Sequence, residues 1–207
     1  MADNLVICVA RQFGSGGHEI GKQLATAMGI AFYDKELLKA AADKSGILEE
    51  LFEKNDEKPA SGLLHTPPME MAGKMSSYAD YMAYLPNDQM QNALAEVIHD
   101  AARESSCVII GRCADYVLRG LPNMVSVFIH APTEERIKRI AKKHNLDEDR
   151  ARSLIRKTDR SRANYYSYYT DRDWGRADNY DLVLDAGRLG TEKAALLLKE
   201  AIPQFIV

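Results

Sequence analysis

The apolar run Leu5-Val6-Ile7-Cys8-Val9-Ala10 leads directly into Arg11-Gln12-Phe13-Gly14-Ser15-Gly16-Gly17-His18-Glu19, and from His18 onward Ile20, Leu24 and Ala27 recur at helical spacing. A β-branched stretch of this kind reads as a strand buried on both faces, which puts the glycines at a strand-to-helix junction. Small residues there let successive backbone N–H groups turn toward one point. The helix start adds unpaired donors and roughly half a positive charge. The segment therefore predicts an α/β chain with an anion-binding loop, in which Arg11, Gly14, Ser15, Gly16, Gly17, His18 and Glu19 are the candidate phosphate-binding residues.

Two registers against the Walker pattern G-x-x-x-x-G-K-[ST] are open. Aligned by strand end and helix start, Gly16 matches the second glycine, Gly17 replaces the lysine, His18 replaces the Ser/Thr, and Arg11 stands where the first glycine belongs. The other register, Gly16 to Gly21-Lys22, satisfies G-x-x-x-x-G-K but starts five residues later, ends in Gln23 and buries Gly21 and Lys22 in the helical pattern. The first is preferred because the loop must follow its strand directly. A glycine-rich turn without a ligand is the alternative that the motif by itself leaves standing. In the preferred register the pattern's cation is missing. Arg11 or Lys22 are candidates to restore it, and His18 or Glu19 to take over the metal-linked role of the hydroxyl.

Downstream, Ile30 to Asp34 reads as a short strand, with a helix from Lys35 to about Lys44. Between Ser45 and Pro86 the pattern weakens at Pro59, Ser61-Gly62, Pro67-Pro68 and Gly73, marking an inserted arm in which Tyr78, Tyr81, Met82 and Tyr84 recur at near-helical spacing. Asn87–Glu104 is amphipathic, Cys107–Ile110 and Val125–Ile129 read as strands, and Thr133 is placed to cap the helix that follows. Another helix runs from Asp147 toward Asn164, then a strand over Tyr180–Asp185 and a last helix from Thr191 to about Ile202. Alternating strands and helices with nearly continuous apolar strands predict a single three-layer α/β/α domain over residues 1–207 around a parallel sheet.

Charge is uneven along this frame. Acids dominate from Asp43 to Glu104, whereas bases outnumber acids about two to one from Arg136 to Arg176. The basic half is expected to meet the anion, with Lys138, Arg139, Lys142 and Lys143 read as solvated helical faces. No run approaches ~20 apolar residues and no basic-then-apolar leader opens the chain, so a soluble cytoplasmic protein without a membrane partner is expected. Cys8, Cys107 and Cys113 fall in or beside strands and form no C-x-x-C pair, which argues against a disulfide frame or a zinc site; no metal-ligating residues are assigned. The acidic balance and the lack of an RNA-motif spacing argue against a nucleic-acid partner.

Three segments together resemble the cytidylate kinase-like branch of the nucleoside monophosphate kinases, within the P-loop kinase superfamily. They are Arg11–Glu19; Cys107–Arg112 followed by Val125–Arg139; and Asp159-Arg160-Ser161-Arg162-Ala163. The resemblance spans nearly the whole chain. It implies a P-loop kinase-like fold with a five-stranded parallel sheet, a monophosphate-binding arm over about 45–86 and a helical lid over about 156–176. It also implies ATP and Mg²⁺ as cofactors, small nucleotides as substrates, and transfer of the ATP γ-phosphate to a nucleoside monophosphate, CMP or dCMP first.

For that chemistry the needs are positioning and cationic clamps rather than a general base. Arg156, Arg160 and Arg162 are the candidate clamps, the first two being i,i+4 neighbours and the third pointing elsewhere. The resemblance puts Arg162 at the family's phosphate-contacting arginine and Asp159 at its acidic partner. Arg112, at the carboxyl end of a central strand, is the acceptor-side candidate. The family's next residue, a cytosine-reading aspartate, is here Cys113, and Asp115 is the substitute on offer. Asp34, a substrate-side candidate, either orients a ribose or the arm, or caps the helix from Lys35. Tyr165, Tyr166, Tyr168 and Tyr169 either close over a base or pack the lid. The alternative to a kinase is a nucleotide-binding regulator of weak or no catalytic power, motivated by Gly17.

Overall fold

The computed structural model describes residues 4–58 and 86–206. Five strands, β1 (Val6–Arg11), β2 (Ala31–Tyr33), β3 (Cys107–Ile110), β4 (Met124–His130) and β5 (Leu182–Asp185), form one sheet in the order β2-β3-β1-β4-β5. Every pairing is parallel, with Cys8 opposite Ile109 on one side and Ser126 on the other. All carboxyl ends therefore lie along one edge of the sheet. β1 is central, and the chain leaves it in one direction for β2 and β3 and in the other for β4, which makes the edge above β1 the crevice where such sheets take ligands.

Side chains alternate across β1 as the two-residue period requires. Ile7 and Val9 face α1 (Gly17–Met28) and α9 (Thr191–Ala201) through Ile20, Leu24, Ala194 and Leu198. Val6 and Cys8 face α2 (Glu36–Ser45), α3 (Glu49–Asn55) and α4 (Pro86–Glu104) through Leu37, Phe52, Leu94 and Ile98. Fully burying one such aliphatic side chain contributes about 1.5–3 kcal/mol, so these two faces account for the three layers. A third cluster, Ile137, Ile140, Ala151 and Ile155, joins α6 (Thr133–His144) to α7 (Glu148–Thr170) beyond the sheet edge. Between β3 and β4 lies the short α5 (Ala114–Val117), and α8 (Ala186–Leu189) follows β5.

Element ends follow the local chemistry with three departures. Gly29 ends α1 in the left-handed region at φ 67° and donates to the carbonyls of Ala25 and Thr26, and Asp147 caps α7 by accepting from Arg150 N at 2.8 Å. Thr133, expected as a cap, is instead the first residue of α6, with Pro132 at the cap position and no side-chain bond. Asp34 does not cap α2, since Lys35 holds that position and the Asp34 carboxylate is bound elsewhere. Helix α7 also continues past Asn164 to Thr170, because Tyr165 and Tyr166 bury against Cys113 and carry the apolar face on for another turn. Residues 59–85, including Tyr78, Tyr81, Met82 and Tyr84 of the arm, lie outside the described residues.

Candidate functional site

At the carboxyl end of β1 the loop turns on Gly14 and Gly16, whose φ angles of 80° and 89° are ones that L side chains rarely adopt. Space is short as well: a Cβ on Gly17 would meet Arg11 Cβ at 2.5 Å and Ile129 Cβ at 3.2 Å. The position aligned with the missing lysine thus has no room for a side chain, because Arg11 fills it. Ser15 is fully buried and turned inward; its Oγ donates to the Gln12 carbonyl at 2.8 Å and accepts from Gly17 N at 3.3 Å. Ser15 shapes the loop rather than facing the cleft.

The loop borders a cleft of about 650 Å³ whose walls include Gly14, Gly16, Gly17, His18, Glu19, Asp34, Arg139, Lys143, Arg11 and Arg162. Exposed His18 places Nε2 3.2 Å from Asp34 Oδ2 and sits edge-on to Phe32. Glu19 is exposed at the start of α1 and accepts from Thr191 Oγ1 at a long 3.5 Å. Arg139, read from the sequence as a solvated residue, instead reaches across from α6, with Nη1 donating to the Gly14 carbonyl at 3.0 Å and standing 2.8 Å from where a Gly16 Cβ would be. Arg136 is buried and ties the same loop down, donating to the Phe13 carbonyl at 3.3 Å and to Asp159 Oδ2 at 2.5 Å.

Helix α7 supplies the opposite wall. At ~3.6 residues per turn Ile155, Asp159, Arg162 and Tyr166 share its inner face. Asp159 accepts from Phe13 N at 2.7 Å, so its partners are the loop and Arg136 rather than Arg162. Arg162 donates through Nε to Glu57 at 2.7 Å and through Nη1 to the Arg11 carbonyl at 3.1 Å. Arg156 and Arg160 turn away from this face and are exposed. Arg156 and Arg160, expected with Arg162 as phosphate clamps, share the exposed face of α7, and of the three the structure brings Arg162 to the loop.

The acceptor-side candidates assemble at the end of β3. Gly111, Arg112 and Cys113 all adopt left-handed φ angles, of 70°, 56° and 55°, a backbone cost that folds the Arg112 side chain under the sheet edge. Its guanidinium, 1 % exposed, is held by both oxygens of Asp56 at 3.0 Å, by Asp34 Oδ1 at 2.9 Å and by the Ile110 carbonyl at 3.1 Å. Burial works against its charge, but Asp56, Glu57 and Asp34 outweigh that and hold it protonated. Arg112 is thus engaged by protein groups and positions two carboxylates. Asp115 accepts from the Tyr166 hydroxyl at 2.7 Å, burial pushes its carboxyl pKa up, and the cavity beside it, about 20 Å³, has room for about one water rather than a base.

The residue that sequence patterning missed is Glu57. Its Oε1 pairs with Arg11 and accepts from Arg112 N at 3.4 Å, while Oε2 pairs with Arg162. Burial alone would raise its carboxyl pKa, yet Arg11, Arg162 and Arg112 together hold it well below the usual carboxylate range. No signal in the irregular composition of 45–86 marks it. For Arg136, Arg139 and Lys143 a signal existed: their i, i+3, i+7 spacing is one helical stripe. Among the described residues no group of three or more His, Cys, Asp or Glu is arranged to hold a metal ion, and no helix is long and apolar enough to cross a membrane.

Comparison with known proteins accords with this architecture. The model of the cytidylate kinase-like family matches residues 6–188. A cytidylate kinase of Methanopyrus kandleri is 31% identical over 115 residues, 52% of this chain and 60% of that protein, and one of Methanosarcina barkeri is 28% identical over 114 residues, 54% and 61% of the two chains. The match spans about three-fifths of the length of these curated relatives. Among solved structures, an uncharacterized protein from Eubacterium ventriosum superposes with a TM-score of 0.70 at 25% identity, covering 97% of this chain and 99% of that one. A shikimate kinase from Acinetobacter baumannii, solved with shikimate, reaches 0.53 at 13% identity over 97% and 94% of the two chains, a likeness of fold.

Proposed function

This chain belongs to the cytidylate kinase-like family, and from that premise we propose that it moves the γ-phosphate of ATP to a nucleoside monophosphate, with CMP or dCMP the first acceptors to try. The observation that carries this reading is one cleft lined by the glycine loop at the start of α1 and by Arg11, Arg139 and Arg162, with Arg139 bonded to the Gly14 carbonyl. Phosphoryl transfer spreads negative charge over the transferring group, and an ionised acceptor phosphate needs no base. Loop N–H groups and the α1 terminus hold the donor phosphates, Arg139 covers them from α6, and Arg11 with Arg162 stand between donor and acceptor. Losing one electrostatic donor costs about 3–4 kcal/mol of transition-state stabilisation, which is what the arginines restore in place of the lysine.

Magnesium keeps several waters and needs only one or two carboxylates beside substrate phosphates, so the lack of a larger acidic cluster does not count against it. Glu19 fits, being an exposed carboxylate at the cleft whose hydrogen bond among the described residues is the long contact from Thr191, whereas Asp34 has its two oxygens engaged by Arg112 and His18. Glu19 would hold the ion, which would supply neutralisation of the phosphates' charge. Glu19→Gln is expected to weaken Mg·ATP binding while leaving metal-free ATP binding nearly unchanged; equal loss in both would remove Glu19 from that role.

The reading is tested by ³¹P NMR of Mg·ATP mixed with CMP, dCMP, UMP, AMP or GMP. ADP and a nucleoside diphosphate appearing together, with one acceptor preferred, is the expected result. Nucleotide binding without any diphosphate product would favour a regulator instead.

A further inference from the structure

Three donors from three separate elements point at one spot on the sheet edge: the Arg11 guanidinium from the end of β1, the Arg112 backbone N–H beyond β3, and the Arg162 guanidinium from α7. Two forked guanidinium groups with a backbone N–H make the kind of constellation that binds tetrahedral oxyanions. What fills it is the carboxylate of Glu57, which follows α3 with its own φ at 50°, in the region that non-glycine residues rarely enter. Ser161 Oγ donates to the Glu57 carbonyl at 3.1 Å, so α7 holds both the side chain and the backbone of this residue. Glu57 also lines the glycine-loop cleft, as do Arg11 and Gly17.

We propose that Glu57 is a built-in occupant of an oxyanion subsite formed by Arg11, Arg162 and the Arg112 N–H, and that a phosphoryl group binds there only by displacing its carboxylate. The identity of the ligand as the acceptor's phosphate rests on the phosphotransfer reading; the occupancy itself does not. A like-charged competitor keeps the arginines ordered between turnovers and discriminates against small anions that bring no other binding energy. A phosphate carried on a nucleoside gains contacts elsewhere and can afford the exchange, whereas inorganic phosphate cannot. Gly111 fits this design, since a Cβ there would push aside the ends of both the Arg11 and the Glu57 side chains.

The test is calorimetric titration of the full chain with inorganic phosphate, comparing wild type with Glu57→Gln, which keeps the shape and removes the charge. At least ~10-fold tighter phosphate binding in the variant is expected, because the ligand no longer has to displace an ion held by two guanidinium groups. Unchanged or weaker binding in a folded variant would overturn the proposal and leave Glu57 as a clasp joining α3 to α7. If Glu57→Gln unfolds, refolding it with and without phosphate decides the matter: rescue by phosphate supports occupancy, and no rescue overturns it. Failure of the functional reading looks different, since tighter phosphate binding with no nucleotide turnover would leave the subsite standing and remove only its assigned acceptor.

Discussion

Arg139 shows how one residue's meaning depends on geometry that sequence spacing only half reveals. Of Lys138, Arg139, Lys142 and Lys143 on α6, Arg139 hydrogen-bonds the glycine loop, whereas Lys138 pairs with exposed Glu135 at 3.2 Å. A charge-assisted hydrogen bond is worth roughly 1.5–3 kcal/mol, so Arg139→Ala is expected to raise the KM for ATP about 10- to 100-fold, with Lys138→Ala near wild type. Steady-state kinetics at saturating acceptor would check this, and equal effects would return Arg139 to the solvated face. The glycines were legible because their backbone requirement is written in the residue type. That position 17 carries no lysine was legible too, but that Arg11 occupies the space beside it was not. The thiols behave as their strand positions suggested: burial pushes Cys107 up to about 12 and Cys113 higher still. Native protein is expected to resist alkylation at pH 8 at these positions, with reaction only in denaturant; rapid native labelling would contradict their burial.

Between elements, the decisive joint is the one that fastens α6 and α7 to the loop. Asp159 accepts from both Phe13 N and buried Arg136, so Asp159→Asn leaves a buried guanidinium short of its counter-ion. About 3 kcal/mol of lost stability is expected in urea unfolding, against ~1 kcal/mol for the exposed cap change Asp147→Ala. The strands and the longer helices could be read because apolar runs are local, whereas the short α3, α5 and α8 and the caps of α2 and α6 could not. The face that α7 turns inward could not, since a charged helix with Arg156, Lys157, Arg160 and Arg162 carries basic residues all round and only tertiary contacts set its phase. The tyrosine run resolves in part: Tyr165 and Tyr166 pack inward, with the Tyr165 hydroxyl donating to Gln91 at 2.6 Å.

Across the whole molecule the site is assembled from residues 11, 34, 57, 112, 139 and 162, brought together by parallel strands that share one edge. Sheet class and order of elements were open to sequence reasoning, while this long-range charge network was not, because nothing local about Glu57 announces three cationic neighbours. From that network an acid response is expected. Glu57 is held below its unfolded value near ~4.3, so its contribution is present above that pH and is lost as pH falls toward the folded value. In urea unfolding at pH 5 and pH 3, the stability difference between wild type and Glu57→Gln is expected to shrink on acidification; a constant difference would mean that the charge of Glu57 is not what stabilises it. The central claim, that the inner-face arginine handles phosphate in an acceptor-dependent transfer, is met most directly by coupled ADP release from Mg·ATP with the monophosphate panel, comparing wild type, Arg162→Ala and Arg156→Ala. The account predicts acceptor-dependent release that falls at least ~100-fold in Arg162→Ala and little in Arg156→Ala. No acceptor dependence in wild type, or equal loss in the two variants, would contradict it.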